Sequence, residues 1–230
     1  MDKANSYKIE KPQSLKEKVY LWIKDQVLSG ELPPGEPIVE TKLAGQLGVS
    51  RTPVHQAIIQ LEQEGFVASV QFKGFFVGGI SSRDIREIYQ LREILETHLL
   101  RETAKQFTEE ELEQIEFIIQ AADEALQSGD VASFLEANRA FHHSFARKYD
   151  NQRISDILAN LDEHLYRILS FEFQTQPDKL LASQREHKLM LEAIREGDVE
   201  SAVSLLRKHL KFADTFLDGR WDAERGGEGE

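Results

Sequence analysis

The sequence predicts a mainly α-helical chain of two domains, a small N-terminal one with three helices and a β-hairpin and a larger all-α antiparallel helical bundle. Turn-forming residues cluster early, since five of the six prolines precede residue 54 and eight of the fourteen glycines precede residue 80. The stretch 80–217 is rich in Leu, Ile, Glu and Arg and has few glycines, which is typical of long helices. Charge divides at the same place, because residues 1–79 are neutral and the remainder carries the whole net charge of −12. We therefore expect domains at 1–79 and 80–217, followed by a Gly- and Glu-rich tail at 218–230 that is too polar to fold.

Composition excludes several classes of protein. The chain has no cysteine, which rules out disulfide scaffolds, thiol nucleophiles and Cys-ligated metal sites. No apolar run approaches the roughly 20 residues that span a bilayer, and the first residues lack the apolar core of a secretory signal. We expect no membrane association and a cytoplasmic location.

The N-terminal elements follow from caps and periodicity. Ser14 begins a capping box, and apolar residues then recur at helical spacing until Gly30. A second helix is predicted over 40–47, and Ser50 can cap a third over 51–64. Two short aromatic and β-branched runs, 66–70 and 75–78, flank a glycine-containing tip and predict a hairpin.

A short helix, a tight turn at 47–50, a second helix and a hairpin make a winged helix-turn-helix. In DNA-binding examples the N-terminal residues of the second helix enter the major groove. Arg51 can contact a guanine edge or a phosphate, and Ser50 and Thr52 can donate to phosphate. The other predicted contacts are His55 on the same helix and Lys73 and Gly74 at the hairpin tip. The neutral charge of this domain leaves a protein–protein module open as an alternative.

The N-terminal domain resembles the winged helix of the GntR family of bacterial transcriptional regulators over residues 14–79. The resemblance rests on four segments, 27–35 (Val-Leu-Ser-Gly-Glu-Leu-Pro-Pro-Gly), 47–54 (Leu-Gly-Val-Ser-Arg-Thr-Pro-Val), 61–67 (Leu-Glu-Gln-Glu-Gly-Phe-Val) and 74–77 (Gly-Phe-Phe-Val). The family usually has arginine where this chain has His55. A basic residue common in the preceding helix is matched by Thr41, with Lys42 beside it, so the resemblance adds Lys42 to the expected DNA contacts.

Six helical segments are predicted in the second domain, without any strand pattern. Their starts carry capping residues such as Ser81, Thr108 and Asp198, and Gly129 and Gly197 end two of them. The expected ranges are 81–105, 108–129, 130–148, 151–173, 178–196 and 198–217. Short connections between them favour an antiparallel bundle.

Histidines interrupt three of the apolar faces. His142 shares a face with Asn138 and three phenylalanines, and His187 and His209 lie in the apolar stripes of two later helices. Imidazoles from different helices are a usual way to build a metal site inside a bundle. Hydrogen-bonded core histidines without a metal are the alternative.

Arg92 lies on an apolar helix face and requires a partner if it is buried. Glu96, four residues later, is one candidate partner. The carboxylate of a ligand is the other.

The second domain resembles the FCD ligand-binding domain of the FadR subgroup over residues 83–215. That family has an Asp-x-x-x-His pattern on one helix and a further histidine on each of two others, matched here by Asn138, His142, His187 and His209. The resemblance implies a divalent metal ion, zinc or nickel, with asparagine replacing the usual aspartate. It also implies a small carboxylate effector, with Arg92 at a position that often faces the cavity.

Together these features predict a ligand-responsive transcriptional regulator, not an enzyme, that binds double-stranded operator DNA as a homodimer. A metal-dependent enzyme in the bundle with a fused interaction module is the alternative. The bundle offers no evident general base beside the histidines, which weakens that alternative.

Overall fold

The structure is a computed structural model of the 230-residue chain and describes residues 14–175 and 177–211. It divides into two compact units, residues 1–79 and 80–230. The fold is mainly helical, with a small antiparallel sheet in the first unit, as the sequence predicts. The expected disordered tail at 218–230 and the predicted extension of the last helix to residue 217 lie outside the described residues.

The first unit is a winged helix-turn-helix. Its elements are α1 (Leu15–Ser29), β1 (Pro37–Ile38), α2 (Glu40–Leu47), α3 (Arg51–Gln63), β2 (Val67–Val70) and β3 (Gly74–Val77). The strand order is β1-β3-β2, with both pairings antiparallel. The sequence did not predict β1, because two residues are too few to show a period of two.

Local signals explain the helix-turn-helix. Gly48 ends α2 in the left-handed conformation, with φ 66°, and the amide of Val49 donates to the carbonyl of Ala44 at 3.1 Å. Apolar residues of α1, α2, α3 and the sheet then form one core, in which Val54, Ile58 and Leu61 are fully buried. That burial turns the opposite face of α3 to solvent.

Gly78, next to the boundary between the two units, is held by close backbone contacts. A Cβ atom there would lie 2.8 Å from the carbonyl oxygen of Gly65, and the Gly78 amide donates to the carbonyl of Phe66 at 2.8 Å. The residue is therefore glycine because two backbone segments approach closely. A Cβ at Gly79 meets no atom within 4 Å, so Gly79 is the less constrained of the two glycines.

The second unit is a helical bundle. Its described helices are α4 (Ser82–Thr103), a 3₁₀ turn (Ala104–Gln106), α5 (Glu109–Ser128), α6 (Val131–Tyr149), α7 (Gln152–Thr175), α8 (Pro177–Arg195) and α9 (Val199–Leu210). Capping boxes at Ser81 and Thr108 begin α4 and α5, as predicted. The inward faces form one apolar core with Arg92, Glu96 and three histidines buried inside it.

Candidate metal centre and nucleic-acid interface

The predicted DNA contacts of the first unit lie on its solvent-exposed surface. Ser50, Arg51, Thr52 and His55 are exposed at the start of α3, and Lys42 is exposed on α2. Lys73 is exposed in the turn between β2 and β3, and Gly74 is exposed as the first residue of β3. Ser50 stands at the N-cap position of α3, but its side chain makes no capping hydrogen bond, contrary to expectation. The amides of the first turn of α3 therefore have no side-chain cap from Ser50, and such amides can bind phosphate.

Glu40 contacts two of the predicted DNA-binding residues, and the sequence did not predict this. Its carboxylate accepts from Arg51 Nη2 at 2.8 Å and from His55 Nδ1 at 2.6 Å. The hydrogen bond from Arg51, with a smaller contribution from His55, lowers the pKa of Glu40. Glu40 begins α2 and is 15 residues from His55 in sequence, so no helical periodicity connects them. In the DNA-free protein, Glu40 holds both predicted contact residues.

The three predicted histidine ligands come together inside the bundle. His142 of α6, His187 of α8 and His209 of α9 are all buried. Nε2 of His209 lies 3.3 Å from Nε2 of His142 and 3.3 Å from Nε2 of His187. Tetrahedral zinc with Zn–N bonds of about 2.0–2.1 Å requires nitrogens about 3.3 Å apart. The observed spacing therefore fits a shared metal ion, and these residues could hold one.

Each histidine has an oxygen acceptor at its other ring nitrogen. Nδ1 of His142 lies 2.7 Å from Glu96, Nδ1 of His187 lies 3.1 Å from Gln184 Oε1, and Nδ1 of His209 lies 3.2 Å from Glu186. When Nδ1 donates, a neutral imidazole keeps a lone pair on Nε2. Such partners orient metal-binding histidines and fix their tautomer.

Burial disfavours the charged form of two of the histidines. It lowers the pKa of His142 and of His187 well below the ordinary value, and the charge of Arg92 acts in the same direction. Two of the rings are therefore neutral at pH 7. Lone pairs that converge without a proton repel one another, and a cation removes that repulsion.

Glu96 joins Arg92 to the histidine centre. Arg92 Nε donates to Glu96 Oε1 at 2.5 Å, while Glu96 Oε2 accepts from His142. Of the two partners considered for Arg92, the structure thus provides the internal one. The contact between Glu96 and His142 was not predicted, because it joins α4 to α6 across 46 residues.

Two small cavities adjoin the centre. One of about 20 Å³ and one of about 80 Å³ share Arg92, Asn138, His142 and Leu169 in their linings. The larger cavity is also lined by the acidic residues Glu136 and Asp162, whereas the smaller one has no acidic residue in its lining. Within the described part of the chain, the side-chain amide of Asn138 has no hydrogen-bond partner. Asn138 is therefore available to a ligand or metal ion at the edge of both cavities.

His143, next to the predicted ligand His142, lies outside the metal centre. It is half-buried and pairs with Asp162 of α7. Helix α7 covers this side of α6, and the periodicity of α6 by itself could not show that.

Comparison with known proteins agrees with both units. Residues 15–77 match the gntR family of bacterial regulatory proteins, and residues 87–212 match the FCD domain. The chain is 27% identical over 208 residues to the uncharacterized HTH-type transcriptional regulator YdhC of Bacillus subtilis, covering 89% of this chain and 92% of YdhC. It is 25% identical over 201 residues to the HTH-type transcriptional repressor RspR of Escherichia coli, covering 86% and 87% of the two chains.

Solved structures share the fold. Escherichia coli McbR/YncC superimposes with a TM-score of 0.70 at 23% identity, covering 90% of this chain and 98% of its own. A putative GntR regulator from Rhodococcus sp. RHA1 gives a TM-score of 0.74 at 21% identity, covering 90% and 99%. No helix among the described residues is long and apolar enough to cross a membrane. With both domains matched in order, the chain belongs to the GntR family, as a DNA-binding transcriptional regulator with an FCD domain and not an enzyme.

Proposed function

We propose that this regulator binds operator DNA as a cytoplasmic homodimer and that a metal-containing pocket in its FCD domain binds a small carboxylate that changes the affinity for DNA. The convergence of the three Nε2 atoms carries the proposal. His142, His187 and His209 supply three neutral nitrogen ligands, and Asn138 supplies a fourth ligand through its amide oxygen. Zinc and nickel are the ions that such a nitrogen-rich set favours.

Charge argues for an anionic effector. The four protein ligands bring no formal charge, so a divalent ion keeps its +2, and Arg92 and Glu96 cancel each other. A carboxylate next to the metal relieves this excess in a poorly solvated site. We place it at the smaller cavity, because the lining includes Arg92, His142 and His209 and has no acidic residue. This cavity, of about 20 Å³, holds about one water molecule, so it must widen to admit a carboxylate.

Arg92 has a defined part in this arrangement. Glu96 holds its Nε, and neither terminal nitrogen has a hydrogen bond to the described residues. The two terminal nitrogens can therefore bind a carboxylate side by side. The ion pair with Glu96 fixes the guanidinium before the ligand arrives, which lowers the ordering cost of binding.

The metal is tested by elemental analysis of purified protein. We expect about one zinc or nickel ion per chain in the wild type and well below one in His187→Ala. His98→Ala is the matched control, because His98 is an exposed histidine of the same unit. Full occupancy in His187→Ala would contradict the ligand assignment, and a metal-free wild type that keeps the same histidine contacts would identify a structural histidine cluster.

The effector is tested by calorimetry with acetate, succinate, citrate and gluconate, with and without a chelator. Binding of the best acid is expected to weaken at least tenfold on metal removal and in Arg92→Ala. Binding that is indifferent to both changes would place the ligand elsewhere in the bundle.

The homodimer follows from the limited reach of one recognition helix. One such helix reads only a few base pairs, so two half-sites are required for specificity. Light scattering is expected to give twice the chain mass at micromolar concentration. A monomer under those conditions would refute the dimer.

A further inference from the structure

Phe72 stands out at the tip of the wing, which we define as residues 67–77. Its side chain is 98% exposed, the most of any large apolar side chain among the described residues. A lone exposed apolar residue is common on protein surfaces, but an aromatic ring presented entirely to solvent at the end of a hairpin is not accounted for by folding.

The backbone of Phe72 is unfavourable as well. Its φ is 65°, in the left-handed region, which glycine and asparagine enter readily and a bulky side chain does not. The turn is held by the hydrogen bond from the Lys73 amide to the Val70 carbonyl at 3.0 Å and by the pairing of Val70 with Gly74. Phenylalanine therefore stands where turn chemistry favours a small residue. A residue held in an unfavourable backbone conformation supports a functional role when the residues around it favour binding of a ligand.

The surroundings of Phe72 suit a polyanion. No Asp or Glu occurs from Gly65 to Arg83, and Lys73 follows Phe72 directly. The wing also contacts the recognition helix, because the ring of Phe75 packs edge-on against His55 with centroids 6.1 Å apart. The tip thus belongs to the same surface as the predicted major-groove contacts.

We propose that Phe72 is a DNA wedge, an apolar ring that inserts between two base pairs in the minor groove beside the half-site and kinks the duplex. Side chains of this kind partly unstack a base step and bend DNA away from the minor groove. Lys73 contacts the adjacent phosphate and holds the tip in place. The strained turn keeps the ring extended before DNA arrives, so binding requires little ordering.

Three substitutions test the contributions of the aromatic ring, the apolar side chain and the positive charge. Phe72→Asn removes the ring and relaxes the left-handed backbone, whereas Phe72→Leu keeps an apolar wedge. Lys73→Gln removes the charge but leaves the ring. The probe is a duplex selected by the full-length wild-type protein from a random DNA library, with adenines replaced one at a time by fluorescent 2-aminopurine and the ends labelled for energy transfer.

We expect wild-type protein to raise 2-aminopurine fluorescence at one step near each half-site and to bring the duplex ends closer together. Phe72→Asn is expected to abolish both signals and to weaken binding about tenfold, as loss of one aromatic–base stack does. Phe72→Leu is expected to keep most of the bend. Lys73→Gln is expected to keep the unstacking signal and to reduce the salt dependence of binding by about one counterion.

The proposal fails if Phe72→Asn binds and bends the duplex like the wild type. It also fails if that variant changes the oligomeric state in light scattering or lowers the unfolding temperature, because Phe72 would then pack against protein. The inference rests on DNA binding by the first unit. If the wild type selects no duplex at all, the proposed function falls with it, whereas selection without bending overturns only the wedge.

Discussion

At the residue scale, Glu40 holds the side chains of Arg51 and His55, two of the predicted DNA contacts. Both side chains are exposed on α3, yet both are bound to the same carboxylate. If they contact DNA as predicted, a phosphate or a base edge has to replace the Glu40 carboxylate as their partner. Glu40 is therefore expected to compete with DNA for these two side chains.

Glu40→Gln is expected to strengthen binding to non-specific duplex about threefold to tenfold at low salt. The substitution removes one negative charge that faces the phosphates, an effect of about 1 kcal/mol that salt screens. The measurement is a titration of fluorescent duplex at several salt concentrations. Glu31→Gln is the control, since it makes the same charge change at an exposed residue of the same unit. Equal gains in the two variants would show that total charge, and not the contact with Arg51 and His55, controls affinity.

Alanine substitutions at Gly78 and at Gly79 are expected to differ in their effect on stability. Gly78→Ala is expected to destabilise the first unit by about 1–3 kcal/mol, because the new methyl group meets backbone atoms of Gly65 and Phe66 that cannot move aside easily. Gly79→Ala is expected to be neutral or slightly stabilising, because its Cβ meets nothing and the unfolded chain loses freedom.

Urea unfolding followed by the fluorescence of Trp22 in α1 measures this difference. All variants are made in a Trp221→Phe background. The chain has two tryptophans, Trp22 and Trp221, so the fluorescence then comes from Trp22. Equal stability of the two alanine variants would show that the close approach of Gly78 to Gly65 and Phe66 does not affect the free energy of unfolding.

At the scale of elements, α1 and α3 are joined by a polar network. Glu64 at the end of α3 accepts from the Tyr20 hydroxyl at 2.6 Å and from Lys24 Nζ at 3.3 Å. Burial raises the pKa of Glu64, but the hydrogen bonds from Tyr20 and Gln60 and the charge of Lys24 outweigh it and lower the pKa overall. The carboxylate thus stabilises the packing of the recognition helix onto α1.

Glu64→Gln is expected to destabilise the first unit by about 0.5–1 kcal/mol at pH 7, a value reduced by the remaining solvent exposure. A lowered pKa in the folded state means that the unfolded chain binds the proton more tightly. The stabilisation is therefore complete above the ordinary glutamate range and is lost as the pH falls through the lowered pKa of the folded state. Trp22-monitored unfolding at pH 7 and at successively lower pH tests this, and a difference that does not shrink as the pH falls would contradict the assignment to the carboxylate.

Elements and contacts differ in how far the sequence predicts them. Caps such as Ser81 and Thr108 and the apolar period of each helix are local signals, and both appear in the structure. The convergence of His142, His187 and His209 was expected because all three interrupt apolar faces. The contacts of Glu40 with α3 and of Glu96 with His142 were not predicted, because each depends on how two elements pack. The positive φ of Phe72 was not predicted either. Glycine usually signals a positive φ in a turn, and this position holds phenylalanine instead.

At the scale of the whole molecule, the proposed function requires coupling between the FCD site and DNA. Coupling means that metal and DNA change each other's affinity by the same factor, because the free energy of the doubly bound state does not depend on the order of binding. The two sites lie in different units, and residues 78 and 79 end the first of them. Gly78 is fixed by its contacts, whereas a Cβ at Gly79 would meet no atom within 4 Å, so we propose Gly79 as the place where the backbone changes.

Loading the histidine site with zinc is expected to change the dissociation constant for the selected duplex by about 5- to 150-fold, the usual 1–3 kcal/mol of coupling. The same factor should appear when zinc affinity is measured with and without saturating duplex. His187→Ala should bind the duplex with an affinity that zinc does not alter, whereas His98→Ala should behave as the wild type. Two unequal factors would show that zinc acts on the DNA or on assembly of the protein. The proposed site uses one nitrogen from each of three histidines, and His187→Ala lacks one of them. A zinc effect that remains in this variant would therefore place the coupled metal at another site.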